Sequence, residues 1–170
     1  VNQCFGDCNS SALITISGGT QPYFVDGNQI SSDTVSYNNL CAGTYNYTIT
    51  DANGCLLSSG SPTSFIITEP DPLTPAGSIT SNFNGQDISC FGASDGEITA
   101  ALSSGAAPYE YSIDNITWST NPVFDSLFSG TYTIYYRDAN LCLNDETFTL
   151  NDPSDIAGTI NINSTVSCFG

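Results

Sequence analysis

The chain reads as all-β, built from tandem immunoglobulin-like or fibronectin III-like β-sandwiches, and three observations carry that expectation. First, the stretch Leu40–Cys55, L-C-A-G-T-Y-N-Y-T-I-T-D-A-N-G-C, returns as Leu127–Cys142, L-F-S-G-T-Y-T-I-Y-Y-R-D-A-N-L-C, without a gap. Second, apolar residues alternate over short runs. Tyr45, Tyr47 and Ile49 share one face, and Tyr132, Ile134 and Tyr136 share the matching face. That is the period of a half-buried strand. Third, Ser, Thr, Asn and Gly abound beside strand-formers, and no long helical period is present.

Each element follows in order. Cys4-Phe5-Gly6 opens one repeat, Cys90-Phe91-Gly92 a second and Cys168-Phe169-Gly170 a third. The intervals set a period of about 80 residues with loops of varying length. Ala12, Ile14 and Ile16 then alternate as a strand, matched by Ile98, Ala100 and Leu102. A Gly-rich turn leads to Pro22–Asp26, matched by Pro108–Ser112. The middle of each repeat is weakly patterned: Val35 and Tyr37 in the first, Trp118 and Phe124 in the second. Leu-x-x-Gly-x-Tyr follows, the way a tyrosine corner is written, which marks Tyr45 and Tyr132 as phenols that bond back to the backbone. Asp-Ala-Asn supplies turn chemistry after that strand. A last strand precedes Glu69-Pro70 and Asp152-Pro153. Prolines between repeats stiffen the joint and block an added ladder bond. Ala76–Thr80 and Ala157–Asn161 correspond, and each reads as the opening strand of the repeat that follows it.

The expected division is therefore 1–72, a first sandwich lacking its opening strand; 73–153, a second sandwich; and 154–170, the opening strand of a following repeat. On this pattern the chain is expected to be a window on a longer tandem array. Strand addition, the tail of one chain completing the head of the next, is the alternative.

Composition bounds the partners. There are 17 acidic residues against one basic, Arg137, with no Lys and no His, for a net charge of −16. Such a surface repels nucleic acid and anionic membrane, and both are set aside as partners. No apolar run approaches the roughly 18 residues of a membrane span, so no membrane insertion is expected. Seven cysteines in so polar a chain point to an oxidising, extracellular compartment. Cys4 precedes Cys55 by nearly the same interval as Cys90 precedes Cys142, which suggests one bridge inside each repeat. Cys8 and Cys41 both lack a cysteine counterpart in the second repeat, where Ser94 and Phe128 stand, and so are expected to pair with each other. Cys168 is left over, its partner expected beyond this chain. Zinc is a poor rival, because histidine is missing and no paired C-x₂-C knuckle occurs.

Taken together, the string Cys-Phe-Gly … Pro-Tyr … Leu-x-x-Gly-Thr-Tyr … Asp-Ala-Asn-x-Cys … (Glu/Asp)-Pro resembles the SprB repeat of large surface adhesins of Bacteroidota. The resemblance runs over 4–70, 90–153 and the start of a third unit. It implies a type IX-secreted, cell-surface protein of many tandem repeats, whose partners are neighbouring repeats in the same chain or filament. The family's best-known member is the mobile adhesin of gliding motility. The chain departs from the pattern at Leu141, where the family has Gly, and in the extra Cys8–Cys41 pair. Asp33-Thr34-Val35 and Asp125-Ser126-Leu127 look like the phylum's short O-glycosylation sequon, which marks Thr34 and Ser126.

Other chemistry is thin. Without His or Lys, only carboxylates remain for acid–base work, and Glu97 with Glu110 is the one candidate pair. No catalysis and no resident cofactor are expected. Calcium is a rival for Asp51, Asp138 and Asp95, since it takes six to eight oxygens from carboxylates and carbonyls. The competing role for Asp51 and Asp138 is an Asx-turn that closes the hairpin. Trp118 has no counterpart in the first repeat and is the candidate contact for a surface glycan; packing is its competing role.

The expected function is that of a disulfide-stabilised structural repeat. The alternatives are a glycan- or calcium-dependent binding module, and a filament subunit that assembles by strand donation.

Overall fold

The computed structural model describes residues 1–57 and 61–162. Every regular element there is a strand, so the chain is all-β as its composition indicates. In chain order they are β1 (Ser10–Thr15), β2 (Tyr23–Val25), β3 (Asn28–Ile30), β4 (Thr34–Leu40), β5 (Gly43–Asn46), β6 (Ile49–Thr50) and β7 (Ser64–Ile67). The second repeat supplies β8 (Ser78–Ile79), β9 (Gly96–Thr99), β10 (Glu110–Ser112), β11 (Val123–Leu127), β12 (Gly130–Arg137) and β13 (Leu143–Leu150). No helix among the described residues is long and apolar enough to cross a membrane.

The sheets repeat as the sequence does. In the first repeat β1 pairs antiparallel with β4, β2 with both β3 and β6, and β5 with β7. In the second, β9 lies between β8 and β11, and β12 lies between β10 and β13. Thus β1–β4 corresponds to β9–β11, and β5 with β6 corresponds to the single strand β12. The two sheets of the second repeat follow the logic of an immunoglobulin-like or fibronectin III-like sandwich, and in the first repeat the counterpart of the β12 sheet is split in two, β3-β2-β6 and β5-β7.

Two differences have local causes. Where β12 runs on, its counterpart breaks between β5 and β6. There the Asp26 carboxylate accepts the Thr48 N–H at 2.8 Å, and Asp26 N–H donates to Thr48 O at 2.9 Å. The carboxylate takes a donor that a ladder would otherwise use. The second difference is at the opening strand. β8 pairs with β9 through Ser78↔Thr99 and Ile79↔Ile98, whereas β1 has β4 as its one strand partner among the described residues. The corresponding segment 157–161 is not in a strand, and Ile156, Ile160 and Ile162 are almost fully exposed.

By spatial proximity the described residues form two compact units, one of 1–57, 61–75, 102–110 and 136–144, the other of 76–101, 111–135 and 145–162. In the first unit, Ile16, Tyr23, Val25, Tyr47 and Ile49 form a buried cluster edged by Ile14, Val35 and Phe65. Phe65 stacks on Tyr45 with ring centroids 5.2 Å apart. Burial of such side chains contributes about 1.5–3 kcal/mol each. In the second unit Ile88, Ile98, Ile134 and Leu150 are at most 2 % exposed. Gly96 lies among them. A Cβ there would fall 2.7 Å from both Ile88 Cδ1 and Leu150 Cδ1 and 2.9 Å from Leu127 O. At the same place in the first repeat, Ser10 and Asn2 replace Gly96 and Ile88. Buried Asn2 accepts the Ser10 N–H at 3.0 Å and donates to Asp7 O at 2.6 Å.

Candidate functional site

The recurring positions converge on three small constructions, each present in both repeats. The tyrosine corner is the first. Tyr45 donates its hydroxyl to Cys41 O, and Tyr132 to Phe128 O, both at 3.0 Å. Each reaches four residues back, across the turn that Gly43 and Gly130 open with φ of 154° and 152°. The phenol satisfies a carbonyl that the turn has taken out of the ladder.

The second is a carboxylate at the repeat's end. Glu69 Oε2 accepts the Gly6 N–H at 2.8 Å, and Asp152 Oδ2 accepts the Gly92 N–H at 3.4 Å. This is why Cys-Phe-Gly and (Glu/Asp)-Pro travel together in the sequence: the acid of one motif closes the turn of the other. Gly6 and Gly92 sit at φ 79° and 75°, a conformation open to glycine at no steric cost.

The third is the Asp-Ala-Asn hairpin. Asp51 Oδ1 accepts the N–H groups of Asn53 and Cys55, and its Oδ2 accepts that of Thr20. Asp138 Oδ1 accepts from Asn140 and Cys142, and its Oδ2 from Ala106. Backbone bonds Asp51 N–H to Cys55 O and Asp138 N–H to Cys142 O complete the match. This is an Asx-turn in both copies, extended to a neighbouring loop. Hydrogen bonds from the backbone, that of Cys55 foremost, hold the Asp51 carboxyl below the usual carboxylate range. The sequence compensates differently at the next position: Gly54 has φ 76°, and Leu141 adopts 65° in its place.

The remaining carboxylates are engaged separately. Asp95 accepts from Ser89, whose hydrogen bonds lower its pKa and close the loop between them. Asp114 is held lower still, by the N–H groups of Thr117 and Ile116 and the Ser112 hydroxyl. Among the described residues no three His, Cys, Asp or Glu side chains gather as metal ligands. Glu97 accepts the Thr80 hydroxyl at 2.6 Å. Glu110 receives Arg137, the one basic side chain, with Nε donating at 2.9 Å. Each member of the candidate acid–base pair therefore has its own structural partner. Thr34 and Ser126 are exposed, and Trp118 is half-buried.

The disulfides require a correction. Cys8 is bonded to Cys41. Cys4, however, is bonded to Cys142, while Cys55 and Cys90 are free and exposed. The expected Cys4–Cys55 and Cys90–Cys142 bridges do not form. Equal spacing shows that two positions are equivalent in each repeat; a bond between those positions in consecutive repeats has the same spacing signature. Gln3 seats the bond from its flank, donating Nε2–H to Asn140 O at 2.6 Å. Cys168 lies outside the described residues. Sequence reasoning also missed Tyr23 and Tyr109, whose hydroxyls donate to Gly18 O and Gly105 O. Their signal was the repeated Pro-Tyr, since each follows a cis proline.

No curated protein matches the chain. Among solved structures, the fibronectin(III)-like modules of Clostridium thermocellum CbhA align with 16 % identity and a TM-score of 0.31, over 85 % of this chain and 87 % of that one. Residues 82–118 match the family model described as SprB repeat.

Proposed function

We propose that the chain is a non-catalytic spacer in an extracellular surface filament or adhesin, with the immunoglobulin-like repeats 1–72 and 73–153 as its structural units. The observation that carries this reading is the Cys4–Cys142 bond. It ties the start of the first repeat to the hairpin of the second, across a sequence separation of 138. A covalent tie between successive repeats resists extension, which is what a spacer under tension needs. The engagement of Asp51, Asp138, Glu97 and Glu110 in structural bonds supports the non-catalytic part. Seven cysteines and the SprB repeat support a cell-surface setting. Export by type IX secretion and service in gliding or attachment are the finer form of the proposal. The exposed hydroxyls of Thr34 and Ser126 are its candidate glycosylation points.

Single-molecule stretching tests it. A chain pulled from its ends under oxidising conditions yields little contour length from residues 4–142. Adding a reductant releases the 138-residue separation, roughly 45–50 nm at 3.3–3.6 Å per residue. Equal contour lengths with and without reductant refute a tie that carries tension. Saturable glycan binding that disappears in Trp118→Ala would instead establish a binding module.

A further inference from the structure

Cys4 has a choice of partner that its own repeat does not make for it. By chain length alone, the shorter loop to Cys55 closes more readily than the loop to Cys142, by about fourfold. Yet Cys4 is bonded to Cys142, and Cys55 is free. Something must therefore hold the Asp138–Cys142 hairpin beside the first Cys-Phe-Gly turn, and the segment Pro72–Pro75 is placed to do so.

One end of that segment is fixed to Cys4. Asn2 N–H donates to Thr68 O at 2.9 Å, and Gly6 N–H to Glu69 Oε2 at 2.8 Å. Both flanks of Cys4 are thus held to the residues just before the prolines. The other end is fixed to Cys142. Leu73 is 7 % exposed and seated on Gly105, where a Cβ would overlap Leu73 Cδ1 and lie 3.5 Å from Asp138 Oδ2 and Tyr109 Cε1. Asn144, just past Cys142, donates Nδ2–H to Leu73 O at 2.7 Å. Thr74 N–H donates to Ser104 Oγ at 3.0 Å, and Ser103 N–H to Thr74 O at 3.0 Å. The seat is in turn bonded to the hairpin. Ala106 N–H donates to Asp138 Oδ2 at 3.1 Å, and Ala139 N–H to Ala106 O at 2.9 Å. The stretch from Glu69 to Leu73 then spans the two anchors, at most about 13–14 Å.

We propose that Leu73 selects Cys142 as the partner of Cys4: seated on Gly105, it shortens the connection between the two cysteines from the whole intervening chain to the span between Glu69 and Leu73. The inference rests on the tie that the spacer reading uses and extends it to the element that sets the tie. A short connection raises the effective concentration of one thiol at the other without any new contact at the sulfurs. Leu73 is a positioning residue and takes no part in the chemistry. The bond takes two thiols and a small disulfide oxidant. Cys4 and Cys142 give up two electrons and two protons, and one oxidised glutathione becomes two reduced glutathiones. The seat residues Gly105, Tyr109 and Asp138 recur in the first repeat as Gly19, Tyr23 and Asp51, with both glycines at positive φ, so the seat belongs to the repeat pattern.

The experiment uses the whole chain carrying Cys90→Ser and Cys168→Ser, which leaves Cys55 as the competitor. It is equilibrated in a mixture of oxidised and reduced glutathione and quenched with acid, and its disulfides are mapped as linked peptides. Cys4–Cys142 is the expected bond, with Cys8–Cys41 as the internal control. Leu73→Asp is expected to lower Cys4–Cys142, relative to Cys4 joined to Cys55 or to glutathione, by about tenfold or more, and to leave Cys8–Cys41 unchanged. Leu73→Met keeps an apolar plug and stays within about threefold of the parent ratio; a drop as large as that of Leu73→Asp overturns the proposal. A Leu73→Asp chain that keeps the parent ratio also overturns it and leaves the spacer reading standing. Should Leu73→Asp lose Cys8–Cys41 as well, the milder Leu73→Ala decides. A loss of about threefold or more with Cys8–Cys41 intact supports the proposal, and any other result overturns it. If the parent chain itself pairs Cys4 with Cys55, this inference and the spacer reading both fail.

Discussion

Replacing Gly96 by alanine probes the tightest point of the second repeat. Gly96 begins β9, and its φ is not positive, so an alanine meets no backbone strain there. The cost is steric alone. The new methyl would stand 2.7 Å from two side-chain ends and 2.9 Å from Leu127 O, a backbone atom that cannot rotate away. Overpacking of a filled core costs about 1–3 kcal/mol, and the fixed carbonyl argues for about 2 kcal/mol or more. The assay is urea unfolding followed by Trp118, the single tryptophan and a reporter within the second repeat. A double-mutant cycle sharpens it. Ile88→Val removes Cδ1, one of the two close side-chain atoms, so the pair should cost less than the sum of the singles by about 0.5 kcal/mol or more. An alanine variant within about 0.5 kcal/mol of wild type, or strict additivity with Ile88→Val, would refute this account of the core.

Other expectations follow from the repeated constructions. Leu141→Gly relieves a left-handed leucine and should stabilise the second repeat by about 1 kcal/mol, read as a higher urea midpoint at unchanged slope. Tyr132→Phe deletes the hydroxyl that Phe128 O receives and should destabilise by about 1 kcal/mol in the same assay. Hydrogen bonds lower the pKa values of Asp51, Asp95 and Asp114, so their contribution is present above the unfolded value of 3.8 and is lost as pH falls below it. Melting temperature should therefore decline on acidification below about pH 4, less steeply in Asp114→Asn; an unchanged profile in that variant would exclude Asp114 as a contributor.

The legible part of this chain was its local chemistry. Alternation at Tyr132, Ile134 and Tyr136 marked β12, and Leu-x-x-Gly-x-Tyr marked a hydroxyl-to-carbonyl bond four residues back, because both depend on neighbours in sequence. The Asp-Ala-Asn turn was legible for the same reason. The pairing of Cys4 was not: a repeat supplies two chemically identical candidates, Cys55 and Cys142, and only three-dimensional proximity separates them. The break between β5 and β6 was hidden too, since it depends on Asp26 reaching Thr48 from another strand. The acids Glu97 and Glu110 looked unassigned in sequence because Thr80 and Arg137 are distant along the chain.

Asn2 with Ser10, and Ile88 with Gly96, occupy one equivalent place with incompatible chemistry. Repeats strung on one polypeptide risk exchanging segments while they fold. Here an intruding Asn2 would carry an amide into an apolar pocket shaped for isoleucine, and an intruding Ile88 would strand the Ser10 N–H. Each sandwich thereby rejects the opening turn of its neighbour, and drift between copies becomes a safeguard of correct assembly.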